Sequence, residues 1–236
     1  MSERLDHALA VLERGEATVE GRMPFSSNAT FLATVRLAGD EMLAVYKPTR
    51  GERPLWDFPA GLHRREVAAY RLSEALGWGL VPPTVLRTDG PLGEGSFQLF
   101  IEADFEQHYF TLLDDPAHHE TLRTICLFDL LANNTDRKSG HCLLDNNGKI
   151  WAIDNGLSFH ADFKLRTVIW EFGGEPMPGD RLVEVGAFAS AGVPAGLGDL
   201  LAPIEYEALL ARARAVVAER RFPVDPSGRR YPWPMV

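Results

Sequence analysis

Asp136 and Asp154 flank a segment that reads as a β-hairpin. Residues 142–144 and 149–153 alternate like short strands, and Asp145-Asn146-Asn147-Gly148 joins them through an Asn-Gly turn. A hairpin returns the chain to its start, so the two carboxylates should converge on one side of it. Phosphoryl transfer needs such a pair, one carboxylate to orient the attacking hydroxyl and one to hold a divalent metal on the phosphates. Asp136 is the candidate catalytic residue, with Lys138 beside it. Asp154 follows the apolar run Trp151-Ala152-Ile153, precedes Asn155-Gly156, and is the candidate metal ligand. His141 stands where the protein-kinase catalytic loop has a metal-binding asparagine. An imidazole there suits manganese or zinc better than magnesium, which prefers oxygen. An isolated Asp-Arg or Asp-Asn-Gly is more often a turn cap; the pairing across a hairpin is what favours chemistry.

Two further charges appear in the order this chemistry requires. Lys47 ends the strand-like run 42–47, where its ammonium can reach nucleotide phosphates, and Glu66, on the helical segment that follows, can hold it as an ion pair. Ser26, Ser27 and Asn28 lie between two strand-like runs, where a phosphate-cradling loop would sit. That loop lacks glycine, so it would cradle phosphate with backbone N–H groups and hydroxyls.

These residues need elements to place them. Residues 3–14 read as an amphipathic helix, followed by strands over 17–22, 30–37 and 42–47 and a Gly-, Pro- and Arg-rich loop over 49–61. Apolar residues recur at helical spacing from His63 to Leu76, and Gly77 supplies a stop. Strands follow near 84–88 and 95–102. The run 122–132 is apolar nearly all round, as expected of a buried helix. Residues 160–203 read as loop, 204–220 as an amphipathic helix, and the tail from Phe222 as extended. Strands first and helices afterwards predict an α+β fold with a small antiparallel sheet lobe over 1–103 and a mainly helical lobe over 104–236, hinged near 100–105.

Composition narrows the partners. The formal charge of −9, from 24 basic and 33 acidic residues, argues against general affinity for nucleic acid or anionic membranes. Hydrophobic residues at 45% fit a globular core, and no apolar run reaches the length of a membrane span. Cys126 and Cys142 lie in apolar runs without metal spacing and read as reduced core residues of a cytoplasmic protein.

The motifs also carry a resemblance. NTDR (134–137) with IDNGLSF (153–159), VYKP (45–48), REVAAYRLSEALGWGLVPPT (65–84) and GSFQLF (95–100) resemble, in order, the catalytic core of type II phosphatidylinositol 4-kinases. The chain is similar to short bacterial members of the phosphatidylinositol 3-/4-kinase-related family. The resemblance implies a two-lobed protein-kinase-like fold that uses ATP with Mg²⁺ or Mn²⁺. It implies Lys47 on ATP phosphates, Glu66 paired with it, and the backbone of Phe100, Ile101 and Glu102 receiving adenine. Asp136 would orient the hydroxyl of a protein, lipid or small-molecule acceptor, and Asp154 would bind metal. Residues 48–65 lack the cysteine-rich insertion of the lipid kinases. The other reading of the same residues is a pseudokinase, a nucleotide-sensing or partner-binding module, with His141 in the asparagine position as its main support.

Overall fold

The computed structural model describes residues 2–24, 28–192, 194 and 196–235. Helix α1 (Ser2–Arg14) leads into strands β1 (Glu16–Arg22), β2 (Phe31–Leu37) and β3 (Asp40–Pro48). Helix α2 (Leu62–Ala75) follows, then β4 (Thr84–Arg87) and β5 (Gly95–Leu99). The strands form one antiparallel sheet in the order β1-β2-β3-β5-β4. Successive strand residues face opposite ways. One face therefore carries Ala33, Val35, Ala44, Tyr46 and Phe97, which α1 covers with Val11 and Leu12. Lys47 points the other way.

Helix α2 begins where the Glu52 carboxylate accepts the Gly61 and His63 N–H groups at 2.9 and 2.8 Å, an anion at the positive end of the helix. Although α2 lies between strands in sequence, its Ala68, Ala69, Leu72 and Leu76 pack into the large core formed by the later helices rather than into the core beneath α1. A buried ion pair, Arg65 Nη2 to Glu205 Oε1, adds a polar tie to the same body.

Beyond β5 the chain leaves the sheet at Phe100, shorter than the strand expected to residue 102. The segment is fixed instead to the hairpin turn, through an Ala103–Asp145 bridge and an Asp104 N–H to Leu144 O bond of 3.2 Å. Helices α3 (Tyr109–Leu113) and α4 (His119–Ala132) come next. α4 is buried along Leu122–Ala132, as its apolar sequence requires, and ends on Asn133 in the left-handed conformation (φ 53°). The hairpin β6 (Cys142–Leu144) and β7 (Ile150–Ala152) turns through Gly148 at φ 80°, a conformation that favours glycine. The expected loop over 160–203 contains a helix, α5 (Gly179–Ala191), which buries Leu182, Val185 and Phe188. Helix α6 (Pro203–Glu219) opens with proline in its first turn and buries Leu209, Ala213 and Val216. The tail then folds back over the helical half, with the Thr167 N–H bonded to Arg230 O at 3.1 Å and the Ser139 N–H to Met235 O at 2.8 Å.

Candidate active site

Lys47 stands at the centre. From the end of β3 its ammonium pairs with Glu66 Oε1 of α2 and lies 2.6 Å from Asp154 Oδ1, after β7. Burial alone would lower the lysine, but Asp154 and Glu66 together outweigh it and hold the ammonium above its ordinary range. The same ammonium holds the half-exposed Asp154 carboxyl well below the usual carboxylate range. Glu66 also accepts the Asn155 N–H at 2.9 Å, so one carboxylate positions both the lysine and the backbone beside Asp154. A side chain at Gly156 would bring its Cβ to 3.1 Å from Glu66 Oε1. Glycine there leaves Glu66 room to approach. Asp154 itself adopts φ 56°, a sparsely populated conformation for a non-glycine residue.

Beneath these groups lies a buried network. Asp129, the lone carboxylate of the Leu122–Ala132 stretch of α4, accepts a fork from Arg137 at 3.0 Å (Nε) and 2.8 Å (Nη2), both side chains having no exposed surface. Arg137 also donates to Ile153 O and Asn155 Oδ1, each at 2.7 Å, which fixes the backbone on both sides of Asp154. Asp129 further accepts from Asn134 Nδ2 at 3.2 Å, and Asn134 Oδ1 receives the Asp136 N–H at 2.9 Å. Both carboxylate-bearing loops therefore hang from one buried aspartate. Sequence reading passed over Asp129, Asn134, Arg137 and Asn155. A single carboxylate within an apolar helix was the available signal, since buried charge needs a partner.

Asp136 lies at the mouth of this frame, 3.5 Å from Lys138 Nζ. Burial raises its carboxyl to about 6, with Asp154 adding to the rise and Lys138 opposing it. His141 is lowered to about 4 by burial, which, with the nearby cations, outweighs Asp154 and leaves the ring neutral at pH 7. The Lys138 N–H points at His141 Nδ1 (3.3 Å), so Nδ1 is the acceptor and Nε2 carries the proton. Nε2 faces Asp154 Oδ2 at 3.3 Å. As placed, His141 is a neutral neighbour of Asp154, with Nε2 turned toward its carboxylate.

Of the other expected residues, Asn28 Oδ1 accepts the Arg53 N–H at 3.0 Å and ties the β1–β2 connection to the following loop. Ser26 and Ser27 lie outside the described residues. Phe100 donates its N–H to Leu43 O at 2.9 Å. Among the described residues no backbone group bonds the Ile101 or Glu102 N–H. Phe100 and Glu102 line a cavity of about 590 Å³ with Met42, Leu43 and α1 residues, at the opposite end of β3 from Lys47. Among the described residues, no three His, Cys, Asp or Glu cluster closely enough to hold a metal by themselves. A carboxylate that completes its metal shell with phosphate oxygens and water does not need such a cluster.

Solved structures define the fold class. The chain superposes on the Golgi casein kinase with Mn and ADP bound (TM-score 0.61, 16% identity, 100% of this chain and 81% of that one). It also superposes on hydra Fam20 with sugar (TM-score 0.58, 14% identity, 93% and 89% covered). A third match is the Helicobacter pylori proinflammatory kinase CtkA (TM-score 0.54, 12% identity, 89% and 94% covered). The fold is the α+β kinase-like fold. By sequence, the chain is 39% identical to Protein Rv2133c of Mycobacterium tuberculosis across 97% of its own length and 95% of the relative's, and it belongs to that family. No family model matches.

Proposed function

We propose that this protein is an ATP-dependent phosphotransferase that moves the γ-phosphoryl group to an acceptor hydroxyl. The carrying observation is the Lys47 ammonium paired with Glu66 and 2.6 Å from Asp154, a charge arrangement suited to phosphates and a divalent cation. In this reading Lys47 neutralises ATP phosphates, Glu66 positions it, and adenine lies against the backbone of Phe100–Glu102. Asp154 holds Mg²⁺ or Mn²⁺, whose charge would offset that of the phosphates. The residues fit such an ion because the Asp154 carboxylate is ionised and half-exposed. Asp136, with its carboxyl near 6, accepts the acceptor's proton as it attacks, and Lys138 lies beside it. We assign the protein to the cytoplasm, which its free, buried cysteines favour. The division into a lobe over 1–103 and another over 104–236 is part of the same reading, as is the likeness to phosphatidylinositol 3-/4-kinases.

The second reading, a pseudokinase, is favoured by His141, whose Nδ1 is taken by a backbone N–H and whose Nε2 faces Asp154. Melting temperature decides between the two, measured alone and with ATP plus Mg²⁺ or Mn²⁺, beside Asp154→Ala. Ligand at one hundred times its dissociation constant adds about 2.7 kcal/mol. A metal-dependent rise lost in the variant establishes the nucleotide site, and ADP released from ATP by the parent but not by the variant separates the enzyme from a nucleotide-sensing module. No rise with either metal supports the binding module.

A further inference from the structure

His63, in the first turn of α2, is buried with 3% of its side chain exposed, and both its ring nitrogens face carboxylates. Nδ1 lies 2.6 Å from Glu52 Oε1, in the loop after β3. Nε2 lies 3.1 Å from Glu94 Oε1, in the connection between β4 and β5. An ionised carboxylate can only accept, and a neutral imidazole has a single N–H. Two ring nitrogens on two carboxylates are therefore satisfied together only by the imidazolium. The third group at the ring agrees. The Thr49 hydroxyl gives its hydrogen to Glu94 O at 2.9 Å, so its oxygen, 3.3 Å from Nε2, is left to accept.

The charges around the ring support the same state. Burial lowers the imidazole, but Glu52 and Glu94 outweigh it and raise it above its ordinary 6.5. Burial raises Glu52, but the bonds it receives from the His63 ring and from the His63 and Gly61 N–H groups bring it down to about 2. Arg64 completes the cluster, with Nε 3.8 Å from Glu94 Oε1.

This cluster joins the same two elements as the Lys47–Glu66 pair, one helical turn earlier. His63 and Glu66 are three residues apart on α2 and so share a side of the helix. Thr49 lies two residues past Lys47, and its N–H and hydroxyl both bond Glu94 O, at 2.8 and 2.9 Å. The end of β3 is thus tied to α2 twice, directly through Lys47 and Glu66 and again through Glu94 and His63.

We propose that His63 is a positioning residue for the nucleotide site: its imidazolium clasps the first turn of α2 to Glu94 and so fixes where Glu66 meets Lys47. On losing one proton the ring keeps the N–H on its shorter contact, to Glu52. Nε2 and Glu94 then become two facing acceptors and part, and Glu66 loses its set distance from Lys47. The folded ring binds its proton more tightly than the unfolded chain does. The clasp therefore contributes in full below pH 6.5 and is lost as pH rises through the raised value. The consequence for ATP rests on the reading of Lys47 as the residue that neutralises its phosphates; the clasp itself does not.

The clasp is tested without nucleotide, by NMR on the full chain. The imidazole nitrogen resonances of His63, assigned from His63→Gln, report how many of its nitrogens carry protons. The carboxyl carbon resonance of Glu66, assigned from Glu66→Gln, reports its pairing with Lys47. His63 should titrate with a midpoint above 6.5, and Glu66 should shift in step with it. That step should vanish in His63→Gln. Glu94→Gln should keep the fold, since Glu94 is 41% exposed and its backbone bonds are untouched, and should lower the His63 midpoint. A ring that titrates below its ordinary value overturns the proposal, and so does a titration without a step at Glu66, which would leave His63 merely structural. ATP with Mg²⁺ or Mn²⁺ is then titrated on both sides of the midpoint. Its dissociation constant should rise roughly fivefold across the step in the parent and stay at the weaker value in His63→Gln. An equal pH response in parent and variant overturns the proposal. Absence of ATP binding at every pH removes the phosphotransferase reading, while the step at Glu66 still decides the clasp.

Discussion

Asp136 holds its charge at the expense of stability. Burial raises its carboxyl from the ordinary 3.8 to about 6, so the folded state binds the proton more tightly than the unfolded chain does. Stability from this group is present while it is protonated and is lost as pH rises through about 6. Asp136→Asn should therefore stabilise the fold above that pH, by roughly 1–2 kcal/mol after allowing for its partial exposure and seen as a higher melting temperature, with the gain shrinking toward pH 3.8. The same variant should lose phosphotransfer, and in the parent kcat/KM should climb with pH through about 6. Melts and rates across that range check both, and a variant less stable at high pH would remove desolvation as the cause. Lys47, Glu66 and Asp154 were legible as a set because their order along the chain already implied a meeting point. The Asp129–Arg137 pair was not, because its partners come together only when α4 and the hairpin pack. The role of His141 was hidden for another reason: its tautomer is set by a backbone N–H, which no spacing reveals.

Helix α2 is the element on which positioning depends. The Arg65–Glu205 pair is buried at both ends, with side-chain exposures of 5% and 6%. Removing one partner strands the other charge, at a cost of about 3–5 kcal/mol, whereas replacing both with apolar residues is close to neutral. Glu205→Ala should thus lower the denaturation midpoint strongly, and Arg65→Met with Glu205→Leu should restore it. Equal loss in the single and double variants would show that the pair does more than satisfy itself. Most helices and strands ahead of residue 160 were readable because their apolar residues keep period, as Val67, Ala68 and Leu72 do on α2, whereas the five-residue α3 is too short to show one. Helix α5 was not, since Gly179, Gly186, Ala187, Ala189 and Ser190 dilute the Leu182, Val185 and Phe188 stripe until only the facing α6 gives it meaning.

On the scale of the whole molecule, two hydrophobic cores divide the chain differently from its sequence order. The smaller lies between α1 and the sheet; the larger holds α2 together with α4, α5 and α6. Hydrogen exchange should follow cores rather than chain order, with α2 amides protected alongside α4 and those of β1–β3 opening separately and sooner. Exchange of α2 in step with β1–β3 would contradict this division. Glu66 and Asp154 consequently belong to one frame and Lys47 to the other. The lysine acts as a clutch between them. While it grips both carboxylates, any tilt of the sheet is transmitted to Asp154. A phosphate that takes the place of Asp154 on the ammonium would leave the pair with Glu66 as the lysine's link between the two frames.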